Sequence, residues 1–320
     1  NLIPYFGSAL AMIPPLITEE ARRRWVGVVP LLSVGPAQPF TGVQFSHARM
    51  TEFVSKGISG LIGYATPRVK YARINVEAAA EWTWNADGRT PREFALSWAV
   101  RAGLRQSELF AEWAETLGPV AWDVYGSEWP LGMRRGTPGP VSELLRKGEL
   151  PELGEVLWGV YQAPWGDIHS PEQLADDLQA AMRALDLAAE LGEPQSLYET
   201  QVVHGYIESL AALYALKLLA PDGIIAPENR TAAAKQFRRY TTALRRSAEA
   251  LPQWARMVDP VEGVGLAEGE VALLEELITA MEATAAEMGC APQAREASAE
   301  MKPPAGGHGF QVSAGSAGKL

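Results

Sequence analysis

The chain has 320 residues and a formal net charge of −10, with 47% hydrophobic and 21% charged side chains. That balance is globular, and 38 acidic against 28 basic residues repel a phosphate backbone, so nucleic acid is excluded as an expected partner. Cys290 is the sole cysteine, which rules out an intramolecular disulfide framework and a cysteine-based zinc site. The most apolar run, near residues 210–220, contains Lys217 and stops at Pro221. A span needs about 20 apolar residues, so we expect a buried helix there and no membrane partner. The chain opens at Asn1 in mid-pattern (Leu2, Ile3, Tyr5, Phe6). We expect a C-terminal piece of a longer soluble protein, with residues 1–88 forming the last part of an α/β barrel, residues 89–300 a helical domain and residues 301–320 a disordered tail.

The first 88 residues mix short apolar runs with glycine and proline punctuation. Residues 26–34 (VGVVPLLSV) are a possible strand, although Pro30 argues against a central ladder position. Residues 42–47 (GVQFSH) read as a strand, residues 50–56 as a short helix closed by Gly57, and residues 58–65 (ISGLIGYA) as a buried strand. Such a strand–helix–strand unit favours a parallel pair. His47, Arg49 and Tyr64 would then lie at or just beyond the C-terminal ends of the strands, the face on which a barrel carries its active site. Val76, Ala79, Ala80 and Trp84 have helical spacing over residues 75–84.

From Thr90 onward the pattern is helical. Thr90-Pro91-Arg92-Glu93 combines an N-cap threonine, proline at the first helical position and glutamate three residues after the cap. The helix it opens stops at Gly103. A second covers residues 107–117 and is expected to close at Gly118-Pro119. After a glycine- and proline-rich loop at residues 125–140, Ser170-Pro171-Glu172 opens a helix that ends at Gly192. Longer helices are expected over residues 197–219, 227–250 and 268–288.

The densest set of chemistry-bearing residues is the segment Glu81-Trp82-Thr83-Trp84-Asn85. Indole faces stack on the C–H faces of sugar rings, and an acid and an amide beside them supply hydrogen bonds. Trp82, Trp84 and Asn85 are therefore candidate sugar-binding residues, and Glu81 is the candidate catalytic acid. Arg49 beside His47 could clamp a substrate carboxylate in bidentate fashion, which suits a uronic acid. Large aromatics are equally good core anchors, so a helical scaffold whose tryptophans are all buried stands beside the ligand reading. His204 and Glu208 are four apart on a long helix but lack a third ligand, so no metal site is expected. No dinucleotide, Walker A, nucleophile-elbow or HExxH motif occurs, and no cofactor is expected.

The stretch ISGLIGYATPRVKYARINVEAAAEWTWNADGRTPREFALSWAVR resembles the end of the catalytic barrel in bacterial glycoside hydrolases of the β-N-acetylhexosaminidase-like type, a group related to the α-glucuronidases. The resemblance covers residues 42–129. It implies a TIM-type barrel end followed by helices, a carbohydrate ligand containing amino sugar or uronic acid, and secretion or a periplasmic location. No adjacent acid pair ends a strand before Gly88, so the resemblance places the catalytic carboxylates upstream and leaves this chain a sugar-binding wall. A non-catalytic carbohydrate-binding protein is the alternative.

Overall fold

A computed structural model of the chain describes residues 38–55, 57, 73–125, 141–155 and 164–290, with the backbone of residues 26–29 and 60–63. The expected barrel end is not found. Among the described residues the only strands are β1 (Val26–Val29) and β2 (Gly60–Gly63), which pair in parallel with Val26 opposite Gly60. Everything else of regular structure is helical, and the fold is an all-α assembly. The glycoside hydrolase assignment implied by the resemblance depends on the barrel and loses its structural footing with it.

Residues 42–47 are not a strand. They enter helix α1 (Val43–Ser55), because Val43, Ser46, Met50 and Phe53 recur every three or four residues and are all buried. One helical face is thus satisfied, and burial overrides the β-propensity of the valine and phenylalanine. Helix α2 (Arg73–Trp84) packs on α1, and buried Asn75 ties the two regions together. Its Oδ1 accepts from the Gly42 N–H and its Nδ2 donates to the Phe40 carbonyl, both at 2.8 Å.

Helix α3 (Pro91–Arg101) begins with the expected capping box. Thr90 Oγ1 accepts from the Glu93 N–H, and the Glu93 carboxylate accepts from the Thr90 N–H. Helix α4 (Ser107–Tyr125) runs straight through Gly118-Pro119. Pro119 lies on the exposed side, where loss of one backbone bond is tolerated, while Gly118 is buried against α1. A Cβ on Gly118 would come within 3.0 Å of the Thr41 carbonyl oxygen. Tertiary packing keeps the helix going where local sequence signals a stop.

Four helices follow: α5 (Val141–Lys147), α6 (Pro171–Leu191), α7 (Pro194–Leu219) and, after a 3-10 turn at Pro227–Asn229, α8 (Arg230–Val258). Helix α9 (Gly263–Glu287) completes the described chain. Ser170 caps α6 and Gly192 ends it at φ 68°, a left-handed turn that glycine takes without a Cβ penalty. Helix α7 is the hub, apolar on nearly every side, with α8, α6 and α4 packed around it. It is long and apolar enough to cross a bilayer, yet 61% of its most apolar window is buried inside the protein, as befits a core helix.

The α7–α8 crossing is set by Gly205. A Cβ there would lie 2.0 Å from Ser247 Oγ and 2.5 Å from the Ala243 carbonyl oxygen, so the two backbones approach where only hydrogen fits. Ser247 seals the contact by donating across it to the Val202 carbonyl at 2.9 Å. Gly205→Ala is therefore expected to destabilise the protein by about 2 kcal/mol or more through overpacking. Gly265→Ala on α9, where nothing approaches within 4 Å, should be neutral or stabilising by a few tenths to about 1 kcal/mol. Urea unfolding midpoints of the two variants check the contrast.

Candidate functional site

The residues singled out in the sequence do not form one wall. Trp82 is fully buried: its Nε1 donates to the Arg89 carbonyl at 2.8 Å, and its ring meets Phe94 at 5.2 Å and His47 at 4.8 Å between centroids. Trp84, two residues on, is 93% exposed on the opposite side of α2. A helix turns about 200° over two residues, which separates the indoles. Glu81 pairs with Arg89 at 3.5 Å, and Asn85 accepts from the Asp87 N–H in the turn after α2. Arg49 is no surface clamp. It is 1% exposed, pairs with Glu52 at 3.0 Å and lies over the rings of Phe45 and Phe53. Tyr64 falls outside the described residues. His204 and Glu208 belong to an ion network: Arg246 contacts His204 Nδ1 and Glu208 at 2.9 Å each, and Arg239 joins Glu208 at 3.3 Å. Among the described residues no group of three or more His, Cys, Asp or Glu is placed to hold a metal.

An aromatic cavity lies elsewhere among the described residues, at the end of the bundle where the start of α7 meets the end of α8. Its volume is about 360 Å³, within the usual range for small-ligand pockets. Trp98 from α3, Phe110 and Trp113 from α4 and Trp254 from α8 supply aromatic wall. Trp98 stacks on Phe110 at 5.3 Å, and Phe110 meets Trp113 at 5.3 Å with the rings tilted. Trp113 is locked in place because its Nε1 donates to Thr200 Oγ1 at 2.8 Å, which in turn donates to the Ser196 carbonyl at 2.7 Å. Phe40, Thr41 and Ile74 close one side, held by the Asn75 bonds just upstream of α1. Arg73, Gln195 and Met257 form the exposed rim.

Glu199 is the polar group of this lining that matters most. It is 3% exposed and sits in the first turns of α7, where its carboxylate accepts from the hydroxyl and backbone N–H of Thr41. Its Oε1 has no hydrogen-bond partner among the described residues. Burial pushes its pKa up to about 7, against the opposing effect of the Thr41 hydrogen bonds. The residue was readable in the sequence as an acid on the apolar stripe 199, 203, 206, 210 of a helix, a place where a charge needs a reason.

A second acidic feature joins α4 to α6. Asp123 and Asp177 share a hydrogen bond, and Gln173 Nε2 donates to Asp123 Oδ2 at 3.0 Å and to the Asp167 carbonyl at 2.7 Å. Burial is the main cause that raises both pKa values, Asp123 the further, so one proton stays between the two carboxyls near neutrality. Asp177 occupies the buried stripe of α6 with Leu174, Ala181 and Ala184. The pair is a polar joint between helices, and the aromatic pocket is the candidate ligand site.

Because the folded pair holds a proton that the unfolded chain releases above about pH 4, it contributes most at acid pH, and that contribution is lost as pH rises toward 8. Wild-type stability should therefore fall between pH 5 and pH 8, and Asp123→Asn should flatten the slope. Thermal melts of both proteins at those two pH values measure it. No protein-family model, no curated protein and no solved structure matches this chain.

Proposed function

We propose that this chain is a helical carbohydrate-binding domain that seats one sugar ring in the aromatic pocket, without a catalytic role for the residues that line it. The observation that carries the reading is the composition of the wall: three indoles and two phenyl rings surround a buried carboxyl group whose Oε1 is unsatisfied. An indole face offers van der Waals contact to the apolar C–H face of a pyranose. The hydroxyls around the ring edge need hydrogen-bond partners in the same small volume, and Glu199, Thr41 and Gln195 line it. A purely apolar ligand would leave Glu199 Oε1 unpaired at a cost of about 1–3 kcal/mol, so the pocket selects for a ligand with both an apolar face and polar edges.

Trp84 lies outside this pocket and provides an internal control for the argument that the seat, not any exposed indole, binds sugar. Trp98→Ala opens the rim side of the wall and should weaken monosaccharide binding by about tenfold or more. Trp84→Ala should leave affinity unchanged. Titration calorimetry with a panel of neutral and amino monosaccharides, together with circular dichroism to verify folding, tests both. Equal affinity loss in the two variants, or binding unaffected by Trp98→Ala, would sink the reading.

A further inference from the structure

We infer that the sugar seated in this pocket carries a protonated amine, received by the free oxygen of Glu199. The inference rests on the carbohydrate reading above and names the class of sugar. Its basis is the charge balance of the cavity. Among the described residues, the charged groups that line it are Arg73, Glu193 and Glu199. Arg73 is already engaged on its own helix, where its Nε lies 2.9 Å from Glu77 Oε1 and its side chain is 76% exposed. From the α4 side the buried Tyr125 phenol faces Glu199, and burial together with Tyr206, Glu199 and Glu270 raises its pKa, so it stays neutral and supplies no cation. Among the described residues no lysine or histidine lines the cavity. The described lining therefore has two acids against one arginine, and that arginine is paired with Glu77 rather than with Glu199.

A buried carboxylate in that position has two ways to avoid an unpaired charge. It can keep its proton, which its burial favours in the empty pocket, or it can meet a cation. The wall decides which ligand profits. Faces of tryptophan and phenylalanine carry negative quadrupole density and attract ammonium groups, most of all when water is excluded. The two effects converge on one type of group: an ammonium placed between Glu199 and the indoles is held by an ion pair on one side and by ring faces on the others. A neutral hydroxyl in the same place gains only a hydrogen bond. Binding of such an amine to the protonated carboxyl displaces one proton from Glu199 to solvent, because the ammonium brings its own charge and keeps its own protons.

The test uses the full chain, with glucosamine, glucose, N-acetylglucosamine and tetramethylammonium as probes in titration calorimetry at pH 6. Glucosamine should bind about tenfold more tightly than glucose or N-acetylglucosamine. Its binding should release close to one proton, read from the dependence of the measured heat on the ionisation enthalpy of the buffer, whereas glucose binding should release none. Glu199→Gln should erase the preference for glucosamine over glucose and the proton release that accompanies glucosamine binding. The proton-release measurement is made on the wild-type protein, so it decides the matter even if the variant does not fold. Equal binding of glucosamine and glucose with no proton release overturns the amine assignment and leaves the sugar seat standing. Binding of tetramethylammonium with no sugar bound overturns the carbohydrate reading instead, with Glu199 still acting as a cation receptor. If none of the four probes binds, both fall.

Discussion

The close approach of α7 and α8 at Gly205 is the constraint on which the remaining packing depends. With no Cβ at that position, the α7 backbone rests against Ala243 and Ser247, and the Ser247 hydroxyl bridges to the Val202 carbonyl. Helix α7 can then be covered on its other sides by α4 and α6, which leaves Val202, Val203, Tyr206, Ile207 and Leu210 without water contact. The same antiparallel pairing fixes what happens at its ends. The N-terminus of α7 comes to lie beside the C-terminus of α8, bringing Glu199 and Ser196 together with Trp254 and Met257 around one cavity. A wider crossing would separate these groups, so a hydrogen atom at position 205 and the pocket some two turns away along α7 are parts of one geometric solution.

Burying α7 also forces a choice on every polar side chain along the helices around it, and the protein resolves each differently. Thr200 is absorbed by Trp113 and the Ser196 carbonyl. His204 is absorbed by Arg246, whose guanidinium also meets Glu208. Asp177 on α6 meets Asp123 and settles for a shared proton. Tyr206 donates to Gln38 Oε1, and Gln38 in turn donates to Glu270 on α9, so a chain of polar contacts crosses the core to the last described helix. Thr200, His204 and Tyr206 thus find partners within the protein. Asp177 keeps its Oδ2 and Glu199 its Oε1 without a hydrogen-bond partner, and of these two it is Glu199 that lines the aromatic cavity.

Several parts of this arrangement were legible from the residues alone. The capping box at Thr90 and Glu93, the serine start of α6 and the left-handed stop at Gly192 are short-range chemistry, complete within a few residues, and they appear in the fold as read. Residues 42–47 and Gly118-Pro119 were misleading for a shared reason. Their local preferences point one way, and burial against a distant helix points the other, with Gly118 packed beside Thr41 and Gln44. The segment EWTWNADGR looked like a functional unit because its unusual residues are adjacent in sequence. In space it is the end of α2, a turn and the approach to α3: Trp82 supports the core, Trp84 points to solvent, and Asn85 shapes the turn. The barrel end that the resemblance of that text implies is replaced in the structure by helices α1, α2 and α3.

The pocket was hidden for the opposite reason, since its lining is gathered from the segment before α1 and from α2, α3, α4, α7 and α8. None of the contributing residues forms a motif with its sequence neighbours. What the sequence does offer is a conflict: an acid at position 199 of a helix whose flanking stripe positions, Val203, Tyr206 and Leu210, are all core. Natural sequences are largely consistent between local pattern and global burial, so a charged residue that breaks the stripe marks a place where something other than packing governs the choice. The break at Asp177 is answered by another carboxyl, Asp123, distant in sequence but adjacent in space. At Glu199 the protein supplies Thr41 for one side of the carboxylate and aromatic wall around the cavity, and the remaining oxygen defines the chemistry of whatever enters.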